Sequence, residues 1–330
     1  MKNRRTQSER SPAAVVAAAL ALFLGGQVCA AERPPNIIHI IADDVGYDDI
    51  GPFGCKDIPT PNLDRMARQG MKFTSFYAPS PVCTPSRAAL LTGCYAPRVG
   101  LPDVLFPYSK IGIHEHETTI AELLKTRGYA TALVGKWHLG HHRQFLPVHH
   151  GFDFFYGIPY PNDHEAVRVI WEKQAGQTDY RPPPMPLYRG DQVEEEPADL
   201  ERCTQRFVVE AVRFIKANKD RPFYLHMAPI ETHTPYFVAS RFQGFTQGGA
   251  YCDAVVSVDW MVGELEATLM NLGLADNTLV VSHPTTDHCS KTTPTCPPSM
   301  ASTARRTRNA STCSAARKAR CGKVECVCRA

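Results

Sequence analysis

Residues 282–330 of this 330-residue chain contain no Phe, Trp, Tyr, Leu or Ile. A stretch without large apolar side chains cannot bury enough surface to offset its chain entropy, so it is excluded from a core and reads as a disordered tail. It is also basic, with nine Lys/Arg against Asp287 and Glu325. Those cations lack interleaved aromatics, so nucleic acid is not an expected partner. A second absence is zinc-type spacing: Cys55, Cys83, Cys94, Cys203 and Cys252 stand far apart, and none belongs to a CxxC pair. That spacing argues against a zinc module and announces no disulfide framework. No internal repeat is present, and the net charge is only +3.

What is present begins with an export signal. Lys2, Arg4, Arg5 and Arg10 precede the apolar run AAVVAAALALFLGG at 13–26, and VCA at 28–30 offers small residues for cleavage after Ala30. The run is too short and Ala-rich for stable membrane insertion, and no later segment is long and apolar enough to span. The expected organisation is a signal peptide at 1–30, a catalytic domain at 31–281 and the tail at 282–330. The expected location is exported, meaning periplasmic or secreted from a bacterium and lysosomal in an animal cell.

NIIHIIA (36–42), MKFTSFYA (71–78), ATALVG (130–135), FYLHMA (223–228) and TLVV (278–281) read as strands, most of them continuous apolar runs suited to burial on both faces. Between them TPNLDRMARQG (60–70), TTIAELLKTRGY (118–129), a segment from about 199 to 217 and residues 250–272 carry helical periodicity. Thr60 stands where a cap is expected, with Pro61 at the first helical position. A Pro- and Glu-rich segment near 182–197 reads as loop or linker. The fold class is therefore α/β, a mostly parallel sheet sandwiched by helices.

In such sheets ligands sit beyond the carboxyl ends of the strands. Asp43-Asp44, GKWHLG (135–140) and ETHTPY (231–236) each follow a strand directly, and a loop after a fourth strand carries Cys83. In VCTPSRAALLTG (82–93) Pro85, Ser86 and Arg87 start a helix, and Cys83 sits just ahead of it, beside free N–H groups at the positive end of the peptide dipole. Adjacent carboxylates suit a hard cation such as Ca²⁺ or Mg²⁺, or merely cap a turn. Lys136 and His138 share a side if their segment stays extended.

Together CTPSRAALLTG (83–93), GYATALVGKWHLG (128–140), NIIHIIADDVGYDDIGPFG (36–54) and GFDFFYGIPY (151–160) resemble the type I sulfatases of the alkaline phosphatase superfamily, the arylsulfatase A-like branch, over about residues 34–281. The resemblance implies a sulfuric ester hydrolase acting on an aryl or carbohydrate sulfate, a small molecule or a sulfated glycan. It implies that a formylglycine-generating enzyme oxidises Cys83 to formylglycine, whose hydrate attacks sulfur with help from a divalent ion and Arg87. By the same resemblance Asp43, Asp44 and residue 83 are metal ligands. Lys136 and His233 contact sulfate oxygens, and His138 takes a proton from the second hydroxyl. A phosphate or phosphonate ester hydrolase of the same superfamily uses a similar site. Pro161 stands where some relatives carry a serine near the substrate, and the paired histidines at 141–142 and 149–150 have no motif role.

The resemblance also implies a further Asp-Asn metal pair on the strand begun by NTLVV (277–281), and a later lysine. The chain reads SHPTTDHCSK instead. Back-translated and regrouped one base earlier, the same stretch permits Phe-Ser-Ser-Asp-Asn-Gly-Pro. This predicts a frame change at codon 281, an incomplete C-terminal part of the fold, and a chain lacking half its metal site, hence a non-catalytic product as the rival reading. DNA reads across codon 281 are expected to show a one-base disruption; a single intact frame overturns the prediction.

Overall fold

The computed structural model describes residues 33–163, 183–285 and, for the backbone, 323–329. The expected signal peptide and Asp287 lie outside the described residues. The apolar runs form β1 (Asn36–Ala42), β2 (Met71–Tyr77), β3 (Ala130–Gly135), β4 (Phe154–Gly157), β7 (Phe223–Ala228) and β8 (Thr278–Pro284). Two further strands, β5 (Leu187–Arg189) and β6 (Gln192–Glu195), form a hairpin inside the segment expected to be loop. Arg189 explains why a charged segment holds a strand: it pairs with Glu194 across the hairpin at 2.5 Å and with Glu210 at 3.0 Å.

The sheet order is β2-β9-β8-β1-β7-β3-β4-β5-β6, where β9 is Lys323–Arg329. The central strands β8, β1, β7, β3 and β4 run parallel, and antiparallel pairs complete both sides. The expectation of a disordered 282–330 is corrected at both ends. Ser282, His283 and Pro284 continue β8, and the backbone of 323–329 pairs with β2 and β8. Strand pairing needs backbone groups rather than large side chains, and the β-prone KVECVCR satisfies an edge that would otherwise be open. Residues 286–322 lie outside the described residues.

Helices cover both faces. α1 (Pro61–Gln69), α4 (Cys203–Ala217) and α5 (Ala250–Asn271) cover one, and α2 (Cys83–Thr92) and α3 (Ile120–Lys125) the other. Strand alternation divides the core accordingly. Ala130, Ala132 and Val134 of β3 join the cluster of Phe207, Ile215 and Val258, whereas Leu133 joins Leu91, Ala121 and Trp137. Thr119 and Glu122 form the capping box that starts α3. Thr60 does not cap α1; its hydroxyl accepts from Gly51 N at 2.8 Å. The cap comes from α5 instead, where the buried Asp259 carboxylate accepts from the amides of Asn62 and Leu63 at 3.0 and 2.8 Å.

Three histidines occupy adjacent central strands. His39 on β1 lies opposite His226 on β7, and its Nε2 is 2.7 Å from Nε2 of His283 on β8. Burial, helped by the charges of Arg87 and His283, pushes His226 down to about 3, and burial pushes His283 down to about 4. An unfolded histidine protonates near its ordinary value of about 6.5, so each ring's contribution is complete above that pH and lost as pH falls through the folded value. At about pH 5 the loss is about 2 kcal/mol per ring. Thermal unfolding is therefore expected to show His226→Gln losing less Tm than the parent between pH 7.5 and pH 5.

Candidate active site at the carboxyl ends of β1, β3 and β7

β1 delivers Asp43 and Asp44, β3 delivers Lys136 and His138, and β7 delivers Glu231 and His233. The close approach of these strand ends depends on glycine. A Cβ on Gly135 would meet Ala228 O at 2.0 Å, and one on Gly157 would meet Gly135 O at 1.8 Å. With both glycines in place Lys136 N donates to Ala228 O at 2.8 Å, which fixes the start of the lysine segment. That segment does not remain extended, because His138 turns at φ 65.

Asp43 is fully buried. Its Oδ2 receives Lys136 Nζ at 2.5 Å, and Oδ1 receives the Thr285 hydroxyl at 2.7 Å and lies 3.3 Å from Arg87 Nη2. Burial alone would raise this carboxyl, but Lys136, Arg87 and His233 outweigh it and hold the group well below the usual carboxylate range. Asp44 turns at φ 59 and places Oδ2 3.8 Å from His233 Nε2. Arg87 Nη1 donates to Lys136 O at 2.7 Å, while its Nε has no hydrogen-bond partner among the described residues.

Cys83 is the first residue of α2, two positions earlier than the Pro85 start that the sequence suggests. Burial raises its thiol, opposed by the charges of Lys136 and Arg87 and reinforced by those of Asp43 and Asp44. Five described cysteines, Cys83 included, are free thiols. His138 is fully buried; its Nε2 lies 2.8 Å from Leu105 O, and its Nδ1 has no partner among the described residues. The carbonyl can only accept, so Nε2 carries the proton and Nδ1 presents a lone pair. Burial and the Lys136 charge hold this ring well below its ordinary pKa, so it is neutral, with Nδ1 unprotonated.

Cys83, Arg87, Lys136, His138, Asp43, Asp44 and His233 are thus gathered at one mouth of the sheet. Sequence reasoning missed Thr285, which lies in the segment read as tail, and Glu231. The Glu231 carboxylate accepts from Thr204 N at 2.9 Å and Ile230 N at 3.1 Å, tying the His233 loop to the start of α4. Burial pushes Glu231 up to about 7. Its place directly after an apolar strand was the available signal.

A hard divalent ion makes a definite demand on a donor set. Such ions take six to eight oxygens in the case of Ca²⁺ (about 2.3–2.6 Å away). Among the described residues no group of three His, Cys, Asp or Glu side chains could hold a metal. Asp43 is already engaged by Lys136, Arg87 and the neutral Thr285 hydroxyl. The described residues do not fit the ion that the resemblance implies.

The sulfatase family model matches residues 35–312, and the chain belongs to that family. It is 42% identical to arylsulfatase A of Bos taurus over 261 residues, covering 76% of this chain and 52% of that protein. It is 41% identical to N-acetylgalactosamine-6-sulfatase of Canis lupus familiaris over 270 residues, covering 76% and 49%. Among solved structures it resembles Ps i-CgsB in complex with k-i-k-neocarrahexaose, at 28% identity and a TM-score of 0.69, covering 90% of this chain and 66% of that one. The chain spans about half the length of the curated relatives it matches. No helix among the described residues is long and apolar enough to cross a membrane.

An ion held at one hundred times its Kd would add about 2.7 kcal/mol of stability. Scanning calorimetry of this chain is expected to show the same Tm in millimolar Ca²⁺, millimolar Mg²⁺ or excess chelator. A Ca²⁺-dependent rise contradicts the misfit.

Proposed function

We propose that this site hydrolyses sulfate esters of an aryl or carbohydrate alcohol, with residue 83 as the reacting group after conversion to formylglycine by a formylglycine-generating enzyme. The observation that carries the reading is the meeting of a buried Cys83 with two buried cations and a neutral histidine whose Nδ1 is free among the described residues. Formylglycine at residue 83 would supply a hydrated aldehyde, one hydroxyl of which would displace the alcohol from sulfur, while the other would give up its proton as the carbon–oxygen bond to sulfate breaks and the aldehyde returns.

The chain's own residues then have distinct tasks. Arg87 and Lys136 supply positive charge in a water-poor setting, where it favours an alkoxide at residue 83 and the negative oxygens of a sulfate ester. His138 Nδ1 accepts the proton released in the second step. His233, whose Nδ1 lies 2.7 Å from Thr234 O, keeps Nε2 toward Asp44 and the site and meets a sulfate oxygen or the leaving oxygen. The solved relative Ps i-CgsB, in complex with k-i-k-neocarrahexaose, supports a sulfated glycan as the substrate class. Exported localisation belongs to this reading, supported by the basic and then apolar N-terminal sequence.

A second reading, a sulfatase-family chain without turnover, is favoured by one observation: Thr285 meets Asp43 with a hydroxyl rather than a third carboxylate. Turnover of a chromogenic aryl sulfate, with mass spectrometry of the peptide carrying Cys83, separates the two. The first reading expects aldehyde at residue 83 and turnover. It expects Cys83→Ala to lose about 10⁴-fold or more and His138→Ala about 10²–10⁴-fold. Aldehyde at residue 83 without turnover supports the second. Faster hydrolysis of the matching aryl phosphate would instead favour a phosphate ester hydrolase.

A further inference from the structure

We propose that Thr84 is a positioning residue that sets the ring tautomer of His138. The inference deepens the proposed function and rests on it for its catalytic meaning, though not for its structural test.

One hydroxyl joins two loops. Thr84 Oγ1 donates to the backbone carbonyl of His138 at 3.0 Å and accepts from the backbone amide of Leu105 at 3.1 Å. Leu105 in turn uses its carbonyl to receive the Nε2 proton of His138 at 2.8 Å. The circuit closes through the Leu105 backbone and the His138 side chain, and Thr84, Leu105 and His138 are all buried. Water therefore does not substitute for any link.

The geometry makes the hydroxyl matter twice. His138 turns at φ 65, a conformation that disfavours an L side chain, and the bond from Thr84 to its carbonyl helps hold that turn. The other bond holds the Leu105 amide, and with it the carbonyl one residue-length away that selects the Nε2–H tautomer. Only that tautomer leaves Nδ1 able to take a proton. The side chain next to Cys83 thereby fixes the proton acceptor as well. Burial of both backbone groups makes loss of these bonds costly, since an unpaired buried donor or acceptor loses water without gaining a partner.

Thr84→Val keeps the shape and removes the hydroxyl, and Thr84→Ser keeps the hydroxyl. Nitrogen-15 NMR of the His138 ring at neutral pH is expected to show a single Nε2–H tautomer in the parent and in Thr84→Ser, and a mixture of tautomers in Thr84→Val. The Leu105 amide should exchange with solvent faster in the valine variant. On a chromogenic aryl sulfate kcat should fall about 10–100-fold in Thr84→Val with KM changed by less than about twofold, and recover in Thr84→Ser. If Thr84→Val does not fold, Thr84→Ala gives the same NMR comparison with less crowding. A parent ring that is already mixed, or a ring unchanged by loss of the hydroxyl, overturns the inference. A parent with the single tautomer but no turnover supports the positioning role and counts against the proposed function instead.

Discussion

A carboxylate sealed from water survives only beside compensating charge and hydrogen bonds, and Asp43 has Lys136 and Arg87 against it, with the Thr285 hydroxyl completing the set. Those partners come from the end of β3, the first turns of α2 and the residue after β8. One anion thus ties together four elements that are distant in sequence. The same cluster carries more positive than negative charge at its centre, a suitable destination for the oxygens of an anionic ester. Its stability and its proposed chemistry draw on the same ions.

The central sheet was readable because its strands are buried on both faces, and burial on both faces writes itself as an unbroken apolar run. NIIHIIA, ATALVG and FYLHMA match β1, β3 and β7 residue for residue. The β5–β6 hairpin was not readable, because its strength comes from Arg189 reaching Glu194 and Glu210, and a sequence shows the charges without their pairing. The Thr60 cap failed for a related reason. A carboxylate 197 residues away outcompetes the local hydroxyl for the Asn62 amide.

The site divides along the same line. Asp43, Lys136, His138 and His233 follow strands, so topology alone brings them together, and the family match over 35–312 agrees with the motifs that held them. Leu105 contributes a carbonyl, which every residue owns, and Thr84 a hydroxyl in an unremarkable position; neither type of contact leaves a mark in one sequence. Thr285 escaped because composition marked its surroundings as tail, although it stands where the regrouped reading frame places an aspartate. The structure shows the strand continuing to Pro284 and handing Thr285 N to Ala42 O at 2.8 Å.

The two left-handed backbone turns at Asp44 and His138 carry a consequence for how this protein can change. Glycine would relax both, since strain of this kind is worth about 1 kcal/mol or more at a non-glycine residue. Random drift toward sturdiness at these two positions would therefore erase an acid and a base together. Their persistence as Asp and His in any descendant chain would be a record of selection for chemistry against the easier backbone.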